Sequence, residues 1–171
     1  MSVRRISEKE LDQAFAEVFI ANHEFRIWVL KGGRFSRHAH DFKLLDRELS
    51  KARGLPDYWW RHCWCPLPDG SQSETDVFFV LEADSVRFAI HFENKPPDGK
   101  LTMRQAAGYR RRAAFMTNDE RWLQHSDFET VLLAPQAFIE QNKAESSQFD
   151  RSMSYEEVAN FVPLFSSALS H

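Results

Sequence analysis

Apolar positions recur with two different periods along the chain, and together they predict both helices and strands. From Ser7 to about Ile20 the spacing is helical and would place Leu11, Phe15 and Phe19 on one face. Short apolar runs, which are typical of buried strands, lie elsewhere in the chain. These runs are Phe25–Leu30, Trp59–Cys65, Thr75–Glu82, Val86–Lys95 and Glu129–Ala134.

Further helices are predicted where helical spacing coincides with start and stop signals. Ser7 with Glu10, and Ser154 with Glu157, have the spacing of a capping box at a helix start. The additional helices are Phe42–Ala52, Thr102–Met116, 136–142 and Ser154 to about Leu169; the polar stretches Arg34–His40 and Lys143–Met153 are predicted to be loops. Since there is no repeat and no linker, the sequence predicts a single α/β domain over residues 1–171.

The two apolar runs around Asp84-Ser85 predict a β-hairpin whose register can be worked out. If these two residues form the loop, Ala83 pairs with Val86, and Asp76 then faces Glu93 at about 4.5–5.5 Å between Cα atoms. Lys95 lies two residues beyond Glu93 and therefore shares its face. A three-residue loop would instead place Asp76 opposite Phe92, and a bulge would be needed to bring the two acids together.

Composition and charge narrow the classes of protein. The formal net charge of −3 provides no overall basic field for non-specific DNA binding, so nucleic-acid contact would need local patches. No apolar run is long enough to cross a membrane, and the first ten residues have no apolar segment of a signal peptide. The two cysteines are too few for a disulfide framework. We therefore expect a cytoplasmic protein without membrane association.

Two acids held side by side on a hairpin repel each other unless a cation lies between them. Asp76 and Glu93 would supply oxygen ligands of the kind that Mg²⁺ prefers, and the backbone carbonyl of Asn94 would supply a third. Lys95 would hold the attacking water or a phosphate. The alternative is a lysine that bridges two exposed carboxylates at the end of a sheet.

Asp76, Glu93-x-Lys95 and the following helix with Gln105-x-x-x-Tyr109 resemble the PD-(D/E)XK nuclease superfamily, and the helix motif is similar to that of its RecB-like branch. The resemblance covers roughly residues 8–135. It implies a restriction-endonuclease-like core, with a central mixed sheet of about four to five strands flanked by helices. Thr75 stands where the family has a proline, a residue without a chemical role.

The resemblance also implies roles for individual residues. In the family the aspartate and glutamate bind Mg²⁺, for which Mn²⁺ often substitutes, and the lysine orients or activates water. An upstream helical glutamate often adds a ligand. Glu17 is our first choice for that position, with Glu10 and Glu74 as rivals. Gln105 and Tyr109 share one helix face and would reach the same site; the alternatives are a capping box with Thr102 and ordinary packing.

Two clusters of basic residues are candidates for phosphate contact. Arg104 and Arg110–Arg112 lie on the predicted helix 102–116, and Arg112 lies nearest its packed face. A second cluster comprises Arg34, Arg37, His38, His40 and Lys43, with Phe35 and Phe42 between them. Both clusters are equally consistent with solvated surface.

The sequence thus predicts a Mg²⁺-dependent phosphodiester hydrolase acting on DNA, in which a homodimer is possible. The main alternative is a catalytically inactive module of the same fold that binds nucleic acid or protein. A third alternative is a zinc-stabilised or purely structural interaction protein. The spacing of Cys63, Cys65 and the histidines His38, His40 and His62 is not that of a standard zinc site, and buried reduced cysteines are the better interpretation.

Overall fold

The hairpin at the centre of the sequence is also the centre of the fold. In the computed structural model, which describes residues 4–170, β3 (Gln72–Ala83) pairs antiparallel with β4 (Val86–Asn94). Asp84 and Ser85 form the loop, with φ values of 50° and 62°. Positive φ at both positions is typical of the tight turn that joins twisted strands. Ala83 pairs with Val86, which confirms the two-residue loop and its register.

The hairpin belongs to a mixed six-stranded sheet. Two short strands, β1 (Lys43–Leu44) and β2 (Arg61–Pro66), pair antiparallel with different parts of β3. On the other side, β5 (Asp127–Ala134) runs parallel to β4, and β6 (Arg151–Ser154) runs parallel to β5. The prediction of about four to five strands was therefore low, because β1 lies within the predicted helix Phe42–Ala52 and β6 lies largely in the predicted loop Lys143–Met153.

Helices cover both faces of this sheet. Their bounds are α1 Glu8–Ala21, α2 His23–Lys31, α3 Asp46–Arg53, α4 Met103–Met116, α5 Gln136–Gln141, α6 Lys143–Ser146, α7 Tyr155–Val158 and α8 Leu164–Leu169, with 3₁₀ turns at Ser36–His38 and Glu120–Trp122. The helix α1 has the predicted capping box. It packs on one face of the hairpin, where Phe19 stacks on Phe79 and Phe15 contacts Phe92. The helix α4 packs through a separate apolar cluster that includes Tyr109 and Leu132.

The predicted strand Phe25–Leu30 is wrong, because this segment forms the helix α2. The Asn22 side chain caps the helix by accepting a hydrogen bond from the Phe25 backbone N–H at 3.1 Å. Phe25 and Val29, four residues apart, are both buried on one helical face. A short apolar run with a capping residue before it is compatible with either structure, and the cap decided in favour of a helix.

The C-terminal helix is also shorter than predicted. The capping box of Ser154 and Glu157 forms, but α7 ends after one turn and Pro163 precedes the separate helix α8. Proline cannot continue a helix through its own position without losing a backbone hydrogen bond. Among residues 4–170 no helix is both long and apolar enough to cross a membrane. The first three residues of the segment considered for a signal peptide lie outside the described part of the chain.

Candidate active site

The end of β4 brings a carboxylate, an ammonium and an amide into one buried cluster. Glu93 is 1% exposed, and its Oε1 accepts hydrogen bonds from Lys95 Nζ at 2.5 Å and from Gln105 Nε2 at 2.6 Å. Burial lowers the pKa of Lys95, but the neighbouring Glu93 and Asp76 carboxylates raise it more, so the net shift is upward. Three of the residues predicted for the site are therefore in direct contact.

Asp76 lies where β3 separates from β4. The ladder ends at Val77 and Phe92, one residue before the predicted pair, but the Asn94 backbone N–H still donates to Asp76 Oδ2 at 3.1 Å. Thr75 and Phe78 both contact His91, so the strict alternation of side chains breaks between them. Burial, followed by the charges of Glu93 and Asp12, raises the pKa of Asp76 well above its usual range.

Tyr109 stabilises the point of separation between the two strands. Its hydroxyl accepts a hydrogen bond from the Asp76 backbone N–H at 3.3 Å and donates to the Phe92 carbonyl at 3.4 Å. The ring is 1% exposed. Burial raises the pKa of the phenol well above its usual value, so the hydroxyl keeps its proton and can donate. Tyr109 therefore positions the backbone around Asp76. Within residues 4–170 no other side chain hydrogen-bonds to both the Asp76 backbone N–H and the Phe92 carbonyl.

Asn94 connects the site to both ends of the chain. Its Nδ2 donates to Asp12 Oδ1 at 2.8 Å, and its Oδ1 accepts a hydrogen bond from the Tyr155 hydroxyl. The residue is fully buried. Because the side-chain amide is occupied, the backbone carbonyl is the atom of Asn94 that remains as the predicted metal ligand.

The helix α1 contributes Asp12 and Glu8 to the site, and it does not contribute Glu17. Glu17 is exposed and accepts a hydrogen bond from Gln13 at 2.8 Å, so the choice of Glu17 as the helical ligand was wrong. Asp12 is 4% exposed, and Glu8 lies one turn before it on the same face. The sequence did carry a signal for Asp12, because it falls on the apolar face between Leu11 and Phe15.

The pKa values of both α1 acids, Asp12 and Glu8, are shifted by their surroundings in the site. Burial, together with the charges of Glu8 and Glu93, raises the pKa of Asp12 to about 7, although the hydrogen bond from Asn94 opposes the shift. Burial also raises the pKa of Glu8, and the nearby Lys95 ammonium opposes that rise. The site is thus a concentration of acids whose repulsion a proton or a bound cation would reduce.

Replacing Asp12 by asparagine should remove a pH dependence from the stability of the fold. A carboxyl whose folded-state pKa is about 7 binds a proton in the folded state that the unfolded chain has already lost. The free energy of unfolding of the wild type should therefore fall between about pH 4 and pH 7, and that of Asp12→Asn should fall less. Urea denaturation across this range in EDTA measures the difference. Glu17→Gln, on the same helix, should match the wild type, and equal pH profiles for all three proteins would contradict the assignment.

The two rival acids have other partners. Glu10 accepts hydrogen bonds from the Ser7 backbone and hydroxyl, as the capping box predicted. The Glu74 carboxylate contacts the His62 ring on β2, although its charge also acts on Glu8.

The donor set fits a hard divalent cation that keeps most of its water. Within residues 4–170 no three His, Cys, Asp or Glu side chains converge on one point, so a cage made by the protein alone is not formed there. Mg²⁺ commonly uses one or two carboxylates and several waters. Asp76 Oδ2 accepts the hydrogen bond from the Asn94 N–H, and the Asp76 and Glu93 carboxyl groups contact each other.

The basic residues of the two predicted phosphate-binding clusters differ in burial and in ion pairing. Arg112 is 1% exposed, so it does not reach a phosphate at the surface. Its guanidinium lies 4.0 Å from the centre of the Tyr109 ring. In the second cluster Arg34 pairs with Asp127 at 3.0 Å and Lys43 pairs with Glu48 at 2.5 Å. These ion pairs reduce the positive charge that this cluster presents to a ligand.

The two cysteines are buried free thiols on β2. Cys63 Sγ lies 3.4 Å from an Arg53 nitrogen, and burial raises the pKa of this thiol to about 12. His62 is exposed on the opposite face of the strand, as the alternation of side chains predicted. A thiol with a raised pKa is a poor metal ligand at neutral pH.

Comparison with known proteins adds no relative to this description. No family model, no curated protein and no solved structure matches the chain.

Proposed function

We propose that the chain is a metal-dependent phosphodiester hydrolase that acts on DNA, with a restriction-endonuclease-like core of the PD-(D/E)XK type. One observation carries the proposal. Asp76 and Glu93 lie side by side at the end of the central hairpin, where burial and then the charge of Glu93 raise the pKa of Asp76, and where Lys95 contacts Glu93. Such a pair is unfavourable for folding alone, which favours a functional reason for it.

The topology around the hairpin supports the same proposal. The antiparallel pair β3–β4 is followed by α4 and then by β5 parallel to β4. This connection brings Gln105 and Tyr109, separated by one helical turn, to the end of the hairpin. Glu93 therefore receives its amide donor from the helix that the sequence motif named.

Each residue has a role that follows from its contacts. Asp76, Glu93 and the Asn94 carbonyl would hold Mg²⁺ or Mn²⁺, which when bound lowers the pKa of water and offsets charge on the phosphate. Lys95 stays protonated and would orient the attacking water or the scissile phosphate. Gln105 fixes the rotamer of Glu93, and Tyr109 fixes the backbone of Asp76.

Asp12 would complete the acidic wall of the site from α1. Its hydrogen bond to Asn94 orients the backbone between Glu93 and Lys95, so the residue would position the site even without touching the cation. Its raised pKa indicates that it is only partly ionised at neutral pH. A bound cation would favour the ionised form.

A cleavage assay tests the proposal directly. The purified protein is incubated with single-stranded and duplex DNA, and with RNA, in Mg²⁺, in Mn²⁺ and in EDTA. Cleavage of DNA in either metal and none in EDTA is the expected result. Retarded mobility without cleavage in Mn²⁺ would instead favour a binding module of the same fold, and neither cleavage nor binding would overturn the proposal.

A further inference from the structure

A cleft of about 380 Å³ lies between α4 and the segment that joins β2 to β3. Arg104, Gln105, Gly108 and Arg111 line it from the helix, and Asp69 and Ser73 line it from the opposite wall. We refer to it as the α4 cleft. Gln105 belongs to both the cleft and the acidic site, since its side chain donates to Glu93 at 2.6 Å. The Gln105 side chain therefore lies between the cleft and the carboxylate pair.

Gly108 leaves open space on the α4 side of this cleft, and the packing of the fold does not require a glycine there. A glycine inside a helix is less favourable than an alanine at the same position. A Cβ at Gly108 would have no heavy atom within 4 Å, so no neighbouring side chain or backbone requires the glycine. Its φ is not in the left-handed region, so it serves no turn either. The open space at Gly108 would let a ligand approach the helix backbone closely.

The charge of the cleft is positive. Arg104 and Arg111 lie at its rim, and Arg111 pairs with Asp69 at 2.7 Å. Behind the opposite wall Arg112 donates to the Ser73 hydroxyl and, at 2.9 Å, to Thr75. No carboxylate within residues 4–170 forms an ion pair with Arg112, so its buried charge is not cancelled. Because Ser73 Oγ accepts from Arg112, its own proton is free to point into the cleft.

We propose that the α4 cleft binds the sugar-phosphate backbone of single-stranded nucleic acid, next to the nucleotide that the carboxylate site cuts. Arg104, the Ser73 hydroxyl and the Arg111 N–H groups that do not contact Asp69 hold a phosphate, and the strand passes over Gly108. The space admits a ligand of nucleotide size, which favours one strand over a duplex. The position of the cut relative to the cleft rests on the proposed hydrolase function, whereas the binding itself does not.

Binding is tested without metal, by fluorescence anisotropy of a labelled single-stranded oligodeoxynucleotide in EDTA. Gly108→Leu fills the cleft and Gly108→Ala does not, yet both replace glycine with a better helix former, so both should raise the melting temperature. We expect Gly108→Leu to bind at least about tenfold more weakly than wild type, and Gly108→Ala to bind with an affinity between the two, because one methyl group narrows the approach to the helix backbone less than a leucine side chain does.

A second pair of variants separates this cleft from general electrostatics. Arg111→Gln should weaken binding about tenfold. Arg110 pairs with Asp150 on the other flank of α4, so Arg110→Gln should bind as the wild type does. Tighter binding of a duplex of the same sequence would overturn the choice of a single strand. Equal affinity of all four variants would overturn the site.

These measurements are independent of catalysis. If Gly108→Leu and Arg111→Gln lose binding as expected and the wild type cleaves no DNA in Mg²⁺ or Mn²⁺, the binding proposal is supported and the hydrolase proposal is contradicted. If the wild type cleaves DNA and Gly108→Leu binds and cleaves equally well, the hydrolase proposal stands and the cleft falls.

Discussion

Asp76→Asn should give a protein that is more stable than the wild type and inactive. Burial and then the charge of Glu93 raise the pKa of Asp76, so above about pH 4 the folded chain bears a free-energy cost for ionising this carboxyl that the unfolded chain does not. Asparagine removes the charge and keeps an oxygen for the Asn94 N–H. It also weakens cation binding, for which we expect roughly a thousandfold loss of metal-dependent cleavage, equivalent to about 4 kcal/mol.

Thermal unfolding in EDTA and cleavage in Mn²⁺ measure the two effects together. Mg²⁺ should raise the melting temperature of the wild type and leave that of Asp76→Asn unchanged, because a ligand stabilises only the state that binds it. Asp127→Asn is the matched control, since this exposed aspartate pairs with Arg34 away from the site. An Asp76→Asn protein that is less stable than wild type and still cleaves DNA would show that the acid pair is structural.

Lys95→Met should be the most destabilising substitution in the site. Lys95 is 8% exposed and its ammonium lies 2.5 Å from the buried Glu93 carboxylate. Removing one partner leaves an uncompensated buried charge, which costs about 3–5 kcal/mol in such pairs. Cleavage should be lost as well, because no other ammonium among the described residues contacts Glu93.

The double variant Glu93→Gln/Lys95→Met tests whether that cost comes from the pair. With both charges removed, most of the stability should return, because a neutral amide in place of the Glu93 carboxylate leaves no buried charge behind. Urea denaturation of the wild type, the two single variants and the double variant completes the thermodynamic cycle. Additive losses in the double variant would mean that Lys95 acts through its packing and that Glu93 is not its partner.

Local patterns allowed the central part of the fold to be predicted. The register of the hairpin follows from a two-residue loop, so its strands and the proximity of Asp76 to Glu93 could be worked out from the sequence. The capping boxes at Ser7 and Ser154 fixed two helix starts for the same reason. In each case the residues that determine the structure are close together in the chain.

Features that depend on distant contacts were missed. The strand β6 has no alternating apolar pattern and exists because β5 offers it an edge. Asp12 was overlooked because its partner, Asn94, is 82 residues away. Glu17 was preferred because the family is expected to have a glutamate, whereas the helical face containing Leu11 and Phe15 indicated Asp12.

The two contacts of the Asn94 side-chain amide also imply that the proposed activity depends on the order of folding. The hairpin closes over a two-residue loop, whereas the amide needs Asp12, 82 residues before it, and Tyr155, 61 residues after it. Closing such long loops is the slow part of assembling a domain, so the hairpin should form well before the amide has both partners. During synthesis Asp76 and Glu93 leave the ribosome ahead of Tyr155. A growing chain would therefore hold its acid pair long before it can order the backbone beside that pair. The proposed cleavage activity would then require the synthesis of α7, which contains Tyr155.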